Sequence, residues 1–175
     1  MTSFIYPSLN RTSRNQDQSQ IRNYGAFAAA LSYILYFANK NRKDNGRISG
    51  TIEIYRGLQL PSEEIARYEI GKLLNLRGYT SATTTRSVAI GFAVDKLQAD
   101  LCPVLYNIKF TGDEGLFYMS DENYSAFKDE DEILIQDGFD YRINSITEFN
   151  HDDTGQKITE IQLTYPPEPC MPDEN

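Results

Sequence analysis

At 175 residues the chain has room for one domain around a single core, and its 40% hydrophobic content is ordinary for a soluble globular protein. A formal charge of -8 argues against a surface that holds nucleic acid by neutralising phosphates. Two widely separated cysteines, Cys102 and Cys170, leave no paired-cysteine zinc site or dense disulfide framework, and a lone histidine disfavours any nucleophile that needs a His base.

Residues 1–20 are polar and lack the apolar run of a signal peptide, and no stretch approaches the roughly 20 apolar residues of a membrane span. They read as an extended or poorly ordered lead-in. The sequence therefore implies no membrane, and a reducing compartment, either a cytoplasm or one into which the protein is delivered. Residues 21–40, IRNYGAFAAALSYILYFANK, are rich in alanine and leucine and predict a helix pressed against a core. After a charged loop, TIEIYRGLQL predicts the first core strand, ending near Arg56. PSEEIARYEIGKLL predicts a short helix, with Ser62 as its cap and Glu63 and Glu64 suited to its positive end. RGYTSATTT predicts a turn and strand, and Ser87 the cap of a second short helix, SVAIGFAVDKL. From Val104 onward strand follows strand: VLYNIKF, GLFYMS, EILIQDG, YRINSITEF and KITEIQLTY, separated by turn segments. His151 falls in one of these, FNHDDTG, and reads as a solvated loop residue. Helices early and strands late make an α+β layout, and the proline-rich acidic tail, residues 166–175, is expected to fray.

Three features could carry chemistry, and each has an ordinary structural explanation beside it. Arg56, at a strand end before Gly57, could fork onto a phosphate while the glycine lets a ligand approach the backbone; it could equally pair with a carboxylate. The hydroxyls of Thr80, Ser81, Thr83, Thr84 and Thr85 suit a site, an edge strand or a helix entry alike. The acidic run Asp129 to Glu132 is usually a solvated loop, but it stands at the mouth of an apolar strand. Period-two spacing there turns Glu130 and Glu132 to one face.

Taken in order, these features resemble the mono-ADP-ribosyltransferases of the R-S-E class, which include cholera-toxin-like and clostridial binary-toxin enzymes and the vertebrate arginine-specific transferases. Arg56 in IEIYRGL matches the family's strand arginine, Ser81 in GYTSATT the first serine of its Ser-Thr-Ser segment, and Glu130 and Glu132 before ILIQDG its Glu-x-Glu strand. The sequence departs from the pattern at Ala82 and Thr83, the middle and last positions of the serine segment. It departs again at Gln136 and Asp137, where the family usually carries two prolines.

The resemblance spans about residues 20 to 165 and implies a single catalytic domain over 21–165. The implied fold sets early helices on a mainly antiparallel, two-sheet β core. It implies NAD as substrate, with no cofactor or metal. Glu132 would stabilise the oxocarbenium-like ribose, Ser81 would orient Glu132, Arg56 would hold the pyrophosphate, and Gly57 would take the nicotinamide carboxamide through its backbone. Phe92 would pack the nicotinamide side, although AIGFA is apolar enough for a core position. Glu130 would bind the acceptor guanidinium and draw off its proton, which implies an arginine of a target protein as partner. Tyr124 and Phe127 could stack on that guanidinium or simply anchor their loop. Rival readings are an NAD glycohydrolase, transfer to a nucleic-acid base, and a binding module without turnover.

Overall fold

The computed structural model describes Ala29, Ala30, Tyr33 and residues 50–112, 115–118 and 131–166. Of the helix expected over 21–40, Ala29, Ala30 and Tyr33 are helical and exposed; its remainder, the lead-in and the tail from 167 lie outside the described residues. Eight strands follow: β1 Thr51–Pro61, β2 Leu73–Asn75, β3 Thr80–Thr83, β4 Leu101–Thr111, β5 Leu116–Tyr118, β6 Glu132–Ile135, β7 Asp140–Asn150 and β8 Lys157–Tyr165. Two short helices interrupt them, α1 over Ser62–Ile65 and α2 over Arg86–Val94.

β1 does not stop near Arg56. It continues to Pro61 because β4 offers a partner at every step, from Thr51 opposite Thr111 to Pro61 opposite Leu101. That continuous ladder outweighs the roughly 0.5–1 kcal/mol by which a glycine weakens a strand interior. Both predicted caps differ as well. Ser62 is the first helical residue behind Pro61, Ser87 lies inside α2 behind Thr85, and neither helix has a side-chain cap hydrogen bond. A missing cap costs about 1 kcal/mol. For α2 that is offset by burial of Ala89 and Ile90 against Leu105 and Ile158, since each buried Ile or Leu contributes roughly 1.5–3 kcal/mol. α1 has no fully buried residue, only Ile65 packing partly on the larger core, and ends after four residues. The segment GKLL, expected to finish that helix, instead leads into β2, an edge strand paired only with β7.

Hydrogen bonding links the strands in the order β2-β7-β8-β4-β1-β3-β6-β5, antiparallel except for β4 with β8. Five strands and three strands form its two parts, and a single register pair joins them: Tyr55 of β1 opposite Thr83 of β3. One face carries the larger core, with Ile54, Ile108, Phe110, Ile133, Tyr141 and Ile161 all at 0% exposure. The other is covered by α2 over β1 and β4.

The core is rich in phenols. Burial, reinforced by the neighbouring Tyr68, pushes the Tyr106 hydroxyl well above its ordinary 10.0, and burial does the same for Tyr141. A phenol held neutral in the folded state stabilises fully below the unfolded pKa, and that stability is lost as pH rises toward the folded value. The thermal midpoint is therefore expected to hold to about pH 9 and fall steeply above about pH 10. Unfolding scans across that range check it; a midpoint that stays level to about pH 12 would mean the phenols ionise in place.

Candidate active site

The site lies where the two parts of the sheet separate. Continuing the register of Tyr55 and Thr83 by one and two residues would set Arg56 opposite Ala82 and Gly57 opposite Ser81, yet the ladder stops at the first pair. The strands part, and the gap is a cavity of about 210 Å³ lined by Tyr55, Arg56, Gly57, Ser81, Ala82, Thr83, Phe92 and Glu132. Arg56, Gly57, Ser81, Phe92 and Glu132, five of the residues singled out in the sequence, thus line one cavity. Tyr55 and Ala82 were not foreseen as lining residues; both flank a foreseen residue on a strand, and they border the cavity because the sheet parts there.

Glu132 opens β6 opposite Thr83, and Ser81 lies two residues away on the same face of β3. The Ser81 hydroxyl donates to Glu132 Oε1 at 2.9 Å. On the other side, Arg56 Nη1 donates to the Ser81 carbonyl oxygen at 2.6 Å. Ser81 is therefore held by a cation through its backbone and holds a carboxylate through its side chain. Both bonds are charge-assisted, the stronger class, and they fix an arginine and a glutamate on opposite sides of one cavity.

The two departures in the serine segment are locally consistent. Ala82 is 5% exposed and points into the larger core, where a hydroxyl would need a partner. Thr83 keeps a hydroxyl, which accepts the Thr85 N–H at 3.0 Å and so shapes the turn into α2. Phe92 projects from α2 and is 54% exposed, so it is no core residue; its ring is free to face a ligand.

Gly57 has a second reason to be glycine. A Cβ there would sit 1.7 Å from the Ala89 carbonyl oxygen and 2.8 Å from the Ala93 nitrogen, so the backbone of α2 lies directly against it. That contact sets the distance between β1, which carries Arg56, and α2, which carries Phe92.

A second cavity of about 340 Å³ adjoins the first, and Arg56 lines both. Its walls are mixed, with Leu58, Leu60, Leu74 and Leu76 as the apolar part and Tyr68, Tyr106, Glu64 and Arg77 among the polar groups. The Tyr68 and Tyr106 hydroxyls are hydrogen-bonded at 2.8 Å. Sequence reading did not find these residues. Tyr106 alternates with Val104 and Ile108 like any core position, and its placement opposite Arg56 comes only from the β1 to β4 register.

Glu130, Tyr124 and Phe127 lie outside the described residues. Asp131, at their border, has a left-handed backbone (φ 43) and accepts a hydrogen bond from the Thr85 hydroxyl at 3.3 Å. Among the described residues no group of three or more His, Cys, Asp or Glu is placed to share a metal ion, and no helix is long and apolar enough to cross a membrane.

Comparison with known proteins gives the family and the fold. The profile of the ADP-ribosyltransferase exoenzyme family matches residues 42–165. Among solved structures, the ADP-ribosyltransferase Vis from Vibrio splendidus, in complex with agmatine, is 21% identical with a TM-score of 0.60, over 93% of this chain and 69% of that one. Exoenzyme S from Pseudomonas aeruginosa, with human 14-3-3 protein beta and bound Carba-NAD, is 18% identical with a TM-score of 0.58, over 92% and 68%. The enzymatic component C2-I of the C2 toxin from Clostridium botulinum is 17% identical with a TM-score of 0.62, over 93% and 40%. No curated protein matches the sequence.

Proposed function

The chain belongs to the ADP-ribosyltransferase exoenzyme family, and from that premise we propose that it transfers the ADP-ribose of NAD to an arginine side chain of a target protein, with Glu132 as its catalytic carboxylate. The observation that carries the reading is the Ser81 to Glu132 hydrogen bond inside a cavity whose opposite wall holds Arg56.

NAD leaves its nicotinamide as a neutral molecule that takes the bonding pair with it, so no general acid is needed. The ribose C1′ becomes oxocarbenium-like, and a fixed carboxylate beside it stabilises that charge. Glu132 would supply it: its Oε1 accepts the Ser81 hydroxyl, and Oε2 would face the ribose. Arg56, which lines both cavities, suits the pyrophosphate; the larger cavity, with its leucines and tyrosines beside polar groups, suits the adenosine half. The exposed ring of Phe92 and the backbone of Gly57 suit the nicotinamide.

For the acceptor, Glu130 would bind a guanidinium and take its proton as the nitrogen forms the new bond to C1′, with Tyr124 and Phe127 stacking on the same group. Agmatine, found with Vis, carries a guanidinium, and this supports an arginine acceptor. The test is to incubate the protein with labelled NAD, with and without agmatine, and to measure nicotinamide release and labelled product. Agmatine-dependent product is expected. Release indifferent to agmatine, with no adduct, would instead identify a glycohydrolase. Glu130→Gln is expected to lose adduct formation at least about 10²-fold while keeping some hydrolysis. Equal loss of both would refute the division of roles.

A further inference from the structure

The Ser81 to Glu132 contact depends on the register between β3 and β6, a pairing of only four residues, Thr80 opposite Ile135 to Thr83 opposite Glu132. Burial of Ile133 and Ile135 and the pairing of β6 with β5 help to specify that register, and a slip of one residue would turn Glu132 to the opposite face, out of the cavity. The register is therefore a functional quantity, and every contact that fixes it bears on the site.

The end of β6 remote from Glu132 supplies a polar constraint of its own. Asp137 Oδ1 accepts the backbone N–H of Gly78 at 2.7 Å, in a partly buried setting. Extending the ladder past Thr80 and Ile135 by two residues puts Gly78 opposite Asp137, so this side-chain bond closes the pairing in the same register. Gly78 is buried and left-handed (φ 85), a conformation that aims its N–H out of the regular strand and that a side chain would resist. The adjoining Gln136 N–H donates to the Gly115 carbonyl at 2.8 Å, tying β6 to the start of β5 at the same place. Phe139 packs so closely on Gly115 that a Cβ there would lie 2.3 Å from its ring.

We propose that Asp137 is a positioning residue for NAD cleavage: its carboxylate, bound to the Gly78 N–H, locks the register of β6 on β3 and so holds Glu132 against Ser81. The inference rests on the functional reading above. It assigns a role to one of the two positions at which this sequence departs from its family's usual prolines, since proline has no carboxylate to offer Gly78. A one-residue slip would carry the carboxylate about 3.4 Å from its donor, so the bond discriminates sharply between registers. Arg56 and Gly57, on β1, are paired along β4 and do not depend on it.

Asp137→Ala and Asp137→Asn separate this role from simple support of the fold. In Asp137→Ala, kcat for nicotinamide release per folded molecule is expected to fall about tenfold or more, with KM for NAD within about twofold, because a displacement near 1 Å can cost up to 10²-fold. Asp137→Asn retains an oxygen acceptor and is expected to keep kcat within about threefold of the parent. Amide exchange reads the clamp without activity: protection of the Gly78 N–H is lost in Asp137→Ala and kept in Asp137→Asn. A folded Asp137→Ala protein with parental kcat overturns the proposal, as does unchanged Gly78 protection. A parent protein that releases no nicotinamide refutes the functional reading instead, and the exchange result then decides whether the clamp exists.

Discussion

Glu132→Gln is expected to remove nearly all nicotinamide release, by about 10²- to 10³-fold, while leaving the protein folded. The argument is electrostatic. Gln keeps the size of the side chain, and its amide oxygen still accepts the Ser81 hydroxyl, so the contact that organises the wall survives. What disappears is the negative charge facing the ribose as it becomes cationic, a preorganised interaction worth about 2.7–4 kcal/mol in comparable sites. The half-buried position of Glu132 at the first residue of β6, ahead of the fully buried Ile133, means that little of the core depends on it. The unfolding free energy is therefore expected to change by less than about 1 kcal/mol. Measuring nicotinamide release and thermal midpoint on the same preparation separates the two effects. Parental release in a folded Glu132→Gln protein would place the reaction elsewhere. A large drop in midpoint would mean that the carboxylate supports the structure and that lost activity says nothing of mechanism.

The identity of Glu132 as a candidate was legible in the sequence because two independent signals met there, an acidic run and the start of an apolar strand. Arg56 and Ser81 were legible through the order and spacing of motifs rather than through any local signal. Their relation was not. The hydrogen bond from Arg56 to the Ser81 carbonyl joins residues 25 apart and depends on β1 and β3 parting after a single register pair. Strand existence was readable from alternation along β4, β7 and β8. Boundaries were not readable where a partner strand decided them. β1 runs past Arg56 because β4 continues beside it, and β2 forms where a helix was expected because β7 offers an edge. The cap expected at Ser87 failed for a related reason. Ser87 has the right chemistry, but burial of α2 against the sheet fixes where that helix begins more strongly than a hydroxyl worth about 1 kcal/mol.

Gly57→Ala tests the contact that links the cavity wall to the helix above it. The added Cβ would meet the Ala89 carbonyl oxygen at 1.7 Å and the Ala93 nitrogen at 2.8 Å, both backbone atoms that cannot rotate away. Relief requires α2 to lift from β1 as a body, and that would open the packing of Ala89 and Ile90 on Leu105 and Ile158. Overpacking of this kind costs typically 1–3 kcal/mol, and with backbone on both sides the upper end or more is expected. Gly91→Ala is the matched control on the same helix. Nothing lies within 4 Å of its Cβ position, and replacing a helical glycine by alanine usually stabilises by about 0.5–1 kcal/mol. Denaturant unfolding should thus move in opposite directions for the two variants. Because Phe92 travels with α2, Gly57→Ala is also expected to raise KM for NAD in whatever fraction stays folded, whereas Gly91→Ala should leave it unchanged. If Gly57→Ala proves as stable as the parent, α2 does not rest on β1 as described, and the cavity wall that Phe92 completes must be assembled in some other way.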